Sequence, residues 1–314
     1  MSEFVPSVLA TGQVVSRVQH RGRYLPESMR HPGKMLPSIA RAVIGAYTEP
    51  GGLVVDPMCG IGTTLVEAVH LGRDAVGMEY EADFANLSVR NLLHAAAQGA
   101  SGKPRVVCGD ARNIAAVCSD LHGKAALVLT SPPYGASTHG QVRSEIRDGD
   151  GGPVSKWDHR YSEDRSNLAY RQFPALIEGF GQILAGSSLL LRPGGVLAVT
   201  TRPFRVKGEL VDLPGEVITA AERAGLVLQA RLAALLCGIK DGQLVTRASF
   251  FQILETRRNR AAGRPVCASA HEDLLVFQRA DSMRGGDDLT CGNEVGVDTR
   301  PGRTAATGRA EDRP

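Results

Sequence analysis

A short apolar run at 53–56 enters the turn Pro57-Met58-Cys59-Gly60-Ile61-Gly62 and leaves it through Thr63 and Thr64 into a helical period. A strand that becomes a helix through two glycines one residue apart brings its backbone close to whatever packs at the turn, because neither glycine has a side chain. Consecutive apolar residues in so short a strand demand cover on both faces. The rest of the chain supplies it. Strands are predicted at 75–79, 106–110 and 126–130, with helices over 63–71 and 82–97. A long amphipathic helix over 170–191 stops at Arg192-Pro-Gly-Gly195, and strands follow at 196–201, 226–235 and 273–279. A helix at 214–224 has Gly225 as its C-cap. Seven strands alternating with helices predict an α/β, Rossmann-like fold: a seven-stranded, mostly parallel sheet with helices on both faces. Ligands of such sheets collect at the carboxyl ends of the strands.

The 314 residues, 43% of them hydrophobic, suffice for one large core. The sequence predicts an N-terminal arm at 1–20, a main domain at 21–280 and a disordered, apolar-poor tail at 281–314. A polar, glycine-rich segment at 136–167 reads as a mobile substrate loop. The six cysteines form no C-x-x-C pair and lie near no histidine at ligand spacing, so reduced thiols and no metal are expected. The start of the chain lacks the layout of a secretion signal, and no membrane-spanning run is present. Cytoplasmic localisation is the expectation, with no membrane partner.

The net charge of +3 is small, and its distribution says more. The tail holds seven acids and five bases, which leaves +5 for the remainder. Basic residues gather at Arg21 and Arg23 and again at Arg257 and Arg258. The only tryptophan, Trp157, lies near Arg160 in the polar loop. These six residues are the candidates for contact with a phosphate backbone.

Acids mark the ends of three successive predicted strands: Asp56, Glu79 and Asp110. Pro57 and the Thr63-Thr64 pair break the three-glycine pattern of a dinucleotide site, so no pyrophosphate is expected. A carboxylate at Glu79 suits ribose hydroxyls, one at Asp110 an adenine amine, and one at Asp56 an ammonium group. S-adenosylmethionine carries all three groups.

The strand at 126–130 runs into Ser131-Pro132-Pro133-Tyr134. Exocyclic amines of bases are poor nucleophiles because their lone pair is delocalised into the ring. A hydroxyl at Ser131 and the carbonyl of Pro132 can accept the amine hydrogens, which lets the nitrogen turn pyramidal. The prolines fix the turn, and Tyr134 is placed to stack on a base swung out of its helix.

With these motifs in this order, the chain resembles the amino-methyltransferases of nucleic acids, class I S-adenosylmethionine-dependent enzymes whose signature is (D/N/S)-P-P-(Y/F/W). "DPMCGIGTT" looks like their cofactor turn, "GMEYEAD" their ribose acid, "CGDAR" their adenine acid and "TSPPYG" their catalytic turn. "RHPGKMLPSIARAVI" is similar to the motif that grips the methionine end. The resemblance covers roughly residues 20–280. It implies cofactor contacts from His31, Pro32 and Lys34, from Asp56, Pro57, Met58, Cys59, Gly60, Gly62, Thr63 and Thr64 of the turn, and from Glu79, Tyr80, Asp110 and Ala111. Catalytic roles fall to Ser131, Pro132, Pro133 and Tyr134.

Serine in the first signature position goes most often with cytosine N4, so the resemblance implies a DNA cytosine-N4 methyltransferase acting at a specific sequence. Adenine N6 in DNA is one alternative. RNA is another, since tRNA guanine-N2 methyltransferases share the glycine turn and a P-P-Y-G turn; residues 1–52 leave no room for their usual N-terminal RNA-binding domain. A non-catalytic, cofactor-binding subunit is a third. Cytosine C5 chemistry needs a cysteine nucleophile, normally after proline, and the chain has no Pro-Cys pair. Oligomeric state stays open.

Overall fold

The computed structural model describes residues 5–31, 33–133, 141–143, 155–157, 164, 167–206, 208–247 and 250–280. Eight strands form the central sheet. They are β1 (Val8–Leu9), β2 (Leu53–Asp56), β3 (Asp74–Glu79), β4 (Pro104–Cys108), β5 (Ala125–Thr130), β6 (Leu191–Thr201), β7 (Leu226–Leu235) and β8 (His271–Arg279). Their spatial order is β1-β7-β8-β6-β5-β2-β3-β4. From β4 to β6 every neighbouring pair is parallel, whereas β8 runs antiparallel to both β6 and β7. This is the Rossmann-like architecture, a mostly parallel sheet with helices on both faces, that the alternation predicts, with one correction. The sheet has eight strands, because the arm adds β1 in parallel to the end of β7, with Val8 opposite Ala233. Two residues are too few to show a periodicity of two.

Helices α1 (Pro37–Tyr47), α2 (Thr63–His70) and α3 (Ala82–Ala97) cover one face, and α4 (Phe173–Ser188) and α5 (Leu213–Arg223) the other. Strand alternation assigns each residue its side. Val54, Leu127 and Leu274 join Ile39, Leu65 and Leu87 in one core, while Val55, Val128 and Leu275 join Phe180 and Val217 in the second. Each such apolar side chain contributes about 1.5–3 kcal/mol when fully buried. The sixth main helix, α6 (Phe250–Ala261), follows the hairpin 238–245.

Two boundaries move. The predicted helix at 170–191 is α4 at Phe173–Ser188, with a proline in its first turn, since Leu191 already belongs to β6. Residues 192–195 loop out between the pairs Ala125–Leu191 and Leu127–Val196. β4 ends at Cys108, so Asp110 stands beyond it as the cap of a short turn. Among the described residues no helix is long and apolar enough to cross a membrane.

β2 has β3 on one side and β5 on the other. The order reverses there, which opens a crevice above the carboxyl ends of β2 and β5.

Candidate active site

The glycine turn occupies that crevice. Gly60 and Gly62 have φ of 54° and 83°, in the left-handed region that favours glycine. A Cβ on Gly62 would lie 2.3 Å from the Ser88 hydroxyl of α3, and one on Gly60 would lie 2.8 Å from His31 Nε2. Two acids brace the turn from below. Asp56 accepts hydrogen bonds from the Met58 N–H (3.0 Å) and the Thr64 hydroxyl (2.6 Å), and Glu79 accepts the N–H groups of Gly60 (2.8 Å) and Glu81 (3.0 Å). Burial raises Asp56 to about 6 and Glu79 to about 7, against the opposing pull of those hydrogen bonds. An ionised carboxylate has about four lone-pair sites, so each acid keeps acceptor capacity beyond the turn.

Asp110 is tied more closely than the sequence indicates. It accepts the Arg112 N–H at 2.9 Å and pairs with the Arg112 guanidinium, whose hydrogen bond holds its carboxyl below the usual range. Glu79, Tyr80, Asp110 and Ala111 nevertheless share one small cavity with Pro57 and Met58. Arg112, Asn167, Leu168 and Ile183 complete it, and sequence reasoning does not single them out. Asn167 closes the end of the polar loop by donating to Glu81 at 2.7 Å.

Met58 also lines a second, larger cavity of about 230 Å³. Its walls hold His31, Lys34, Asp56, Cys59, Gly60, Thr63 and Thr64 together with Ser131, Pro132 and Pro133. The two quoted motifs, far apart in sequence, thus meet across one space because β2 and β5 are neighbours. His31 is buried edge-on against Phe84, and burial with the nearby Lys34 charge lowers its pKa to about 3, so it is neutral. Lys34 donates to the His31 carbonyl at 2.6 Å, and burial lowers it to about 8. The lining also includes Thr200, Arg202, Phe204 and Glu272, from the end of β6, the residues after it and the start of β8. Sequence reasoning does not single these four out as site residues; the pairing of β6 with β5 and with β8 brings them here.

Pro32, Tyr134 and Arg160 lie outside the described residues, as do the tail at 281–314 and most of the loop at 136–167. Trp157 belongs to a short antiparallel pairing of 141–143 with 155–157. Arg21, Arg257 and Arg258 are exposed. Arg23 is half-buried, and its guanidinium donates to the buried Glu67 at 3.0 Å and 3.2 Å. Among the described residues no group of three or more His, Cys, Asp or Glu is placed to hold a metal ion.

Residues 11–90 match a family model described as DNA methylase. Over 115 residues the chain is 35% identical to the tRNA (guanine(10)-N2)-dimethyltransferase of Methanocaldococcus jannaschii, a match covering 34% of this chain and 31% of that protein. It is 39% identical over 56 residues to the type II methyltransferase M.SmaI of Serratia marcescens, covering 18% of this chain and 19% of that protein. Over 73 residues it is 33% identical to the DNA adenine methyltransferase YhdJ of Escherichia coli, covering 23% and 25%. Over these stretches the chain is similar to amino-methyltransferases that act on DNA or tRNA. The matches span about a third of the length of the tRNA-modifying relatives.

For an amino-methyltransferase of this fold, S-adenosylmethionine is the implied methyl donor. The adjoining cavities fit it. Their carboxylates at the ends of β2 and β3 and after β4 suit a ligand rich in hydrogen-bond donors, and a side chain at Gly60 would press on His31, another wall of the larger cavity.

Proposed function

We propose that this chain methylates an exocyclic amine of a nucleic-acid base, with cytosine N4 in DNA as the target that its residues suit best. The observation that carries the proposal is the single cavity shared by Asp56, the glycine turn and Ser131-Pro132-Pro133. In this reading Glu79 and Asp110 hold the ribose and adenine of the donor, and Asp56, Lys34 and the turn hold its methionine portion. When bound, S-adenosylmethionine supplies an electrophilic methyl on a sulfonium sulfur. Ser131 and the Pro132 carbonyl accept hydrogens of the amine, so that the nitrogen loses conjugation with the ring and points its lone pair at the methyl. The proton shed by the amine leaves through these acceptors to water. A neutral hydroxyl at position 131 suits cytosine, whose amine needs only modest hydrogen-bond acceptance.

The 35% identity to a tRNA guanine-N2 enzyme favours a second reading, transfer to guanine N2 in tRNA. One experiment separates the two. The purified protein is incubated with methyl-labelled cofactor and with unmodified DNA or RNA pools, and the products are digested and identified by mass spectrometry. N4-methylcytosine from the DNA pool is expected; N2-methylguanine from RNA would replace the first reading with the second. Ser131→Ala should bind S-adenosylhomocysteine as the parent does and lose about 2–4 kcal/mol of transition-state stabilisation, the loss typical of one preorganised polar contact. A parental rate in that variant would remove Ser131 from the reaction.

A further inference from the structure

The lining of the larger cavity continues past the end of β6 into a short antiparallel ribbon, Phe204–Val206 paired with Glu209–Val211, which precedes α5. Phe204 lines the cavity, and Phe173 at the start of α4 meets its ring edge-on with the centroids 6.1 Å apart. Alternation along the strand sends the next side chain, Arg205, to the other face of the ribbon. The Arg205 guanidinium donates to the Gly208 carbonyl at 2.9 Å. Arg264, in the link from α6 to β8, reaches the same glycine: a Cβ on Gly208 would overlap its Nη1. Two guanidinium groups thus meet at one residue. Arg205 is held by a main-chain carbonyl and Arg264 by the Asn259 side-chain oxygen at 2.7 Å, and among the described residues neither pairs with an acid. Like charges gathered without a counter-charge repel until an anion joins them. Arg264 is exposed and Arg205 half-buried, so an anion can reach both, and each guanidinium keeps N–H donors to spare.

Resting on the amine-transfer reading, we propose that this ribbon holds one nucleotide of the substrate strand: Phe204 stacks on the target base in the cavity, and Arg205 and Arg264 bind an adjoining phosphate outside it. Neither arginine lines the cavity, so the ribbon separates the two ends of the nucleotide as it separates Phe204 from Arg205. A base swung out of its helix loses its stacking partners, and an aromatic ring restores one face of that contact whatever the base. Stacking therefore supplies affinity and leaves the choice of amine to the Ser131 turn. A guanidinium fork matches two phosphate oxygens at once, and two forks at one glycine form a phosphate site. The surrounding charge agrees. Residues 203–212 and 250–264 hold six bases and three acids, so these two segments carry the whole net charge of +3 and the rest of the chain sums to zero. Arg257, Arg258 and Arg260, all exposed, belong to the segment that ends at Arg264. A phosphodiester strand is the polyanion that such a surface suits.

The test follows binding of fluorescein-labelled, random-sequence single strands, one of DNA and one of RNA, by anisotropy over a range of salt concentrations with S-adenosylhomocysteine present. Arg205→Gln and Arg264→Gln should each bind about tenfold more weakly, the scale of one hydrogen-bonded charge, and should each lower the slope of log affinity against log salt by about 0.7, the share of one phosphate on a single strand. Arg205→Lys and Arg264→Lys should keep the slope and lose part of the affinity, because they keep the charge without the fork. The strand on which these losses appear names the substrate polymer. Binding of S-adenosylhomocysteine by calorimetry and the melting temperature should match the parent in all four arginine variants. Phe204→Leu should lower kcat/KM for methyl transfer to that polymer by about tenfold, the worth of one stacked base, and Phe204→Tyr should recover it. The proposal is overturned if the glutamine variants bind with parental affinity and slope, if the parent binds neither strand, or if Phe204→Leu transfers at the parental rate. A parent whose binding depends on both arginines but which methylates no base upholds the phosphate site and overturns the amine-transfer reading.

Discussion

Glu79 is an acid held where water cannot stabilise its charge, and that fixes the sign of its coupling to a ligand. Burial raises it to about 7 although two main-chain N–H groups favour its ionised form. A ligand that brings hydroxyl donors to the carboxylate favours ionisation further, so binding expels a proton that the free protein holds below about pH 7. Affinity should fall as pH drops below 7 and level off above it. Calorimetry of S-adenosylhomocysteine at pH 6 and pH 8, in buffers of different ionisation heat, should show proton release approaching one per ligand at pH 6 and little at pH 8. The affinity difference is up to about tenfold, one pKa unit of linkage. Asp56, raised to about 6, adds the same sign of effect at lower pH. Glu79→Gln should bind more weakly and show a flatter profile. A profile independent of pH in the parent would mean that the carboxyl stays neutral in the complex and does not hold the ribose as an anion.

The turn that joins β2 to α2 relies on the same glycines for two separable reasons. Gly62 adopts φ of 83°, and a Cβ there would stand 2.3 Å from the Ser88 hydroxyl of α3. Gly62→Ala should therefore destabilise the protein by about 2–4 kcal/mol, part from the left-handed backbone and part from overlap with α3. Ser88→Ala in the same chain removes only the overlap, so a urea-denaturation cycle should show a coupling of about 1–2 kcal/mol; strict additivity would place the whole cost in the backbone. At this scale much was legible in the sequence: 53–56, 82–97 and 226–235 coincide to the residue with β2, α3 and β7, because each has a clear periodicity bounded by turn residues. The glycine turn and Ser131-Pro132-Pro133 were legible as motifs, and parallel pairing of neighbouring strands brings them together. β1 was not, being two residues long, and neither was the excursion at 192–195, which interrupts one continuous strand. Arg202 and Glu272 were not singled out for another reason: they are seventy positions apart, ordinary charges at the ends of two strands, and only the cross-strand register makes them neighbours.

Across the whole molecule, the segment before β2 acts as a brace for the site, and part of its positive charge is spent inside. Arg23 and Arg41 both reach the fully buried Glu67 of α2 at 3.0 Å, and the Tyr24 hydroxyl donates to the same carboxylate at 2.8 Å. Burial pushes Glu67 up, but the Arg23 hydrogen bond and the charges of both arginines hold it below the usual range. Asn91 of α3 adds a second tie: its carbonyl accepts the Leu25 N–H, and its amide donates to the Ile61 carbonyl inside the glycine turn. Segment, turn and both helices thus form one connected unit. Removing the shared anion should loosen it as a whole. Glu67→Ala leaves two cations facing each other over an unpaired tyrosine hydroxyl, a defect of about 3–5 kcal/mol for a fully buried pair. Because Arg41 is half exposed and can turn to water, the lower end is expected. Glu67→Gln, which keeps the shape and an acceptor for Tyr24, should fall between alanine and the parent. Urea midpoints give the order, and limited trypsin digestion gives the location: cleavage at Arg21 and Arg23 should accelerate in the alanine variant before the rest of the chain is attacked. Equal midpoints for all three proteins would show that hydrophobic packing of α1 and α2 alone seats the segment, with the buried ion cluster contributing nothing to the turn it surrounds.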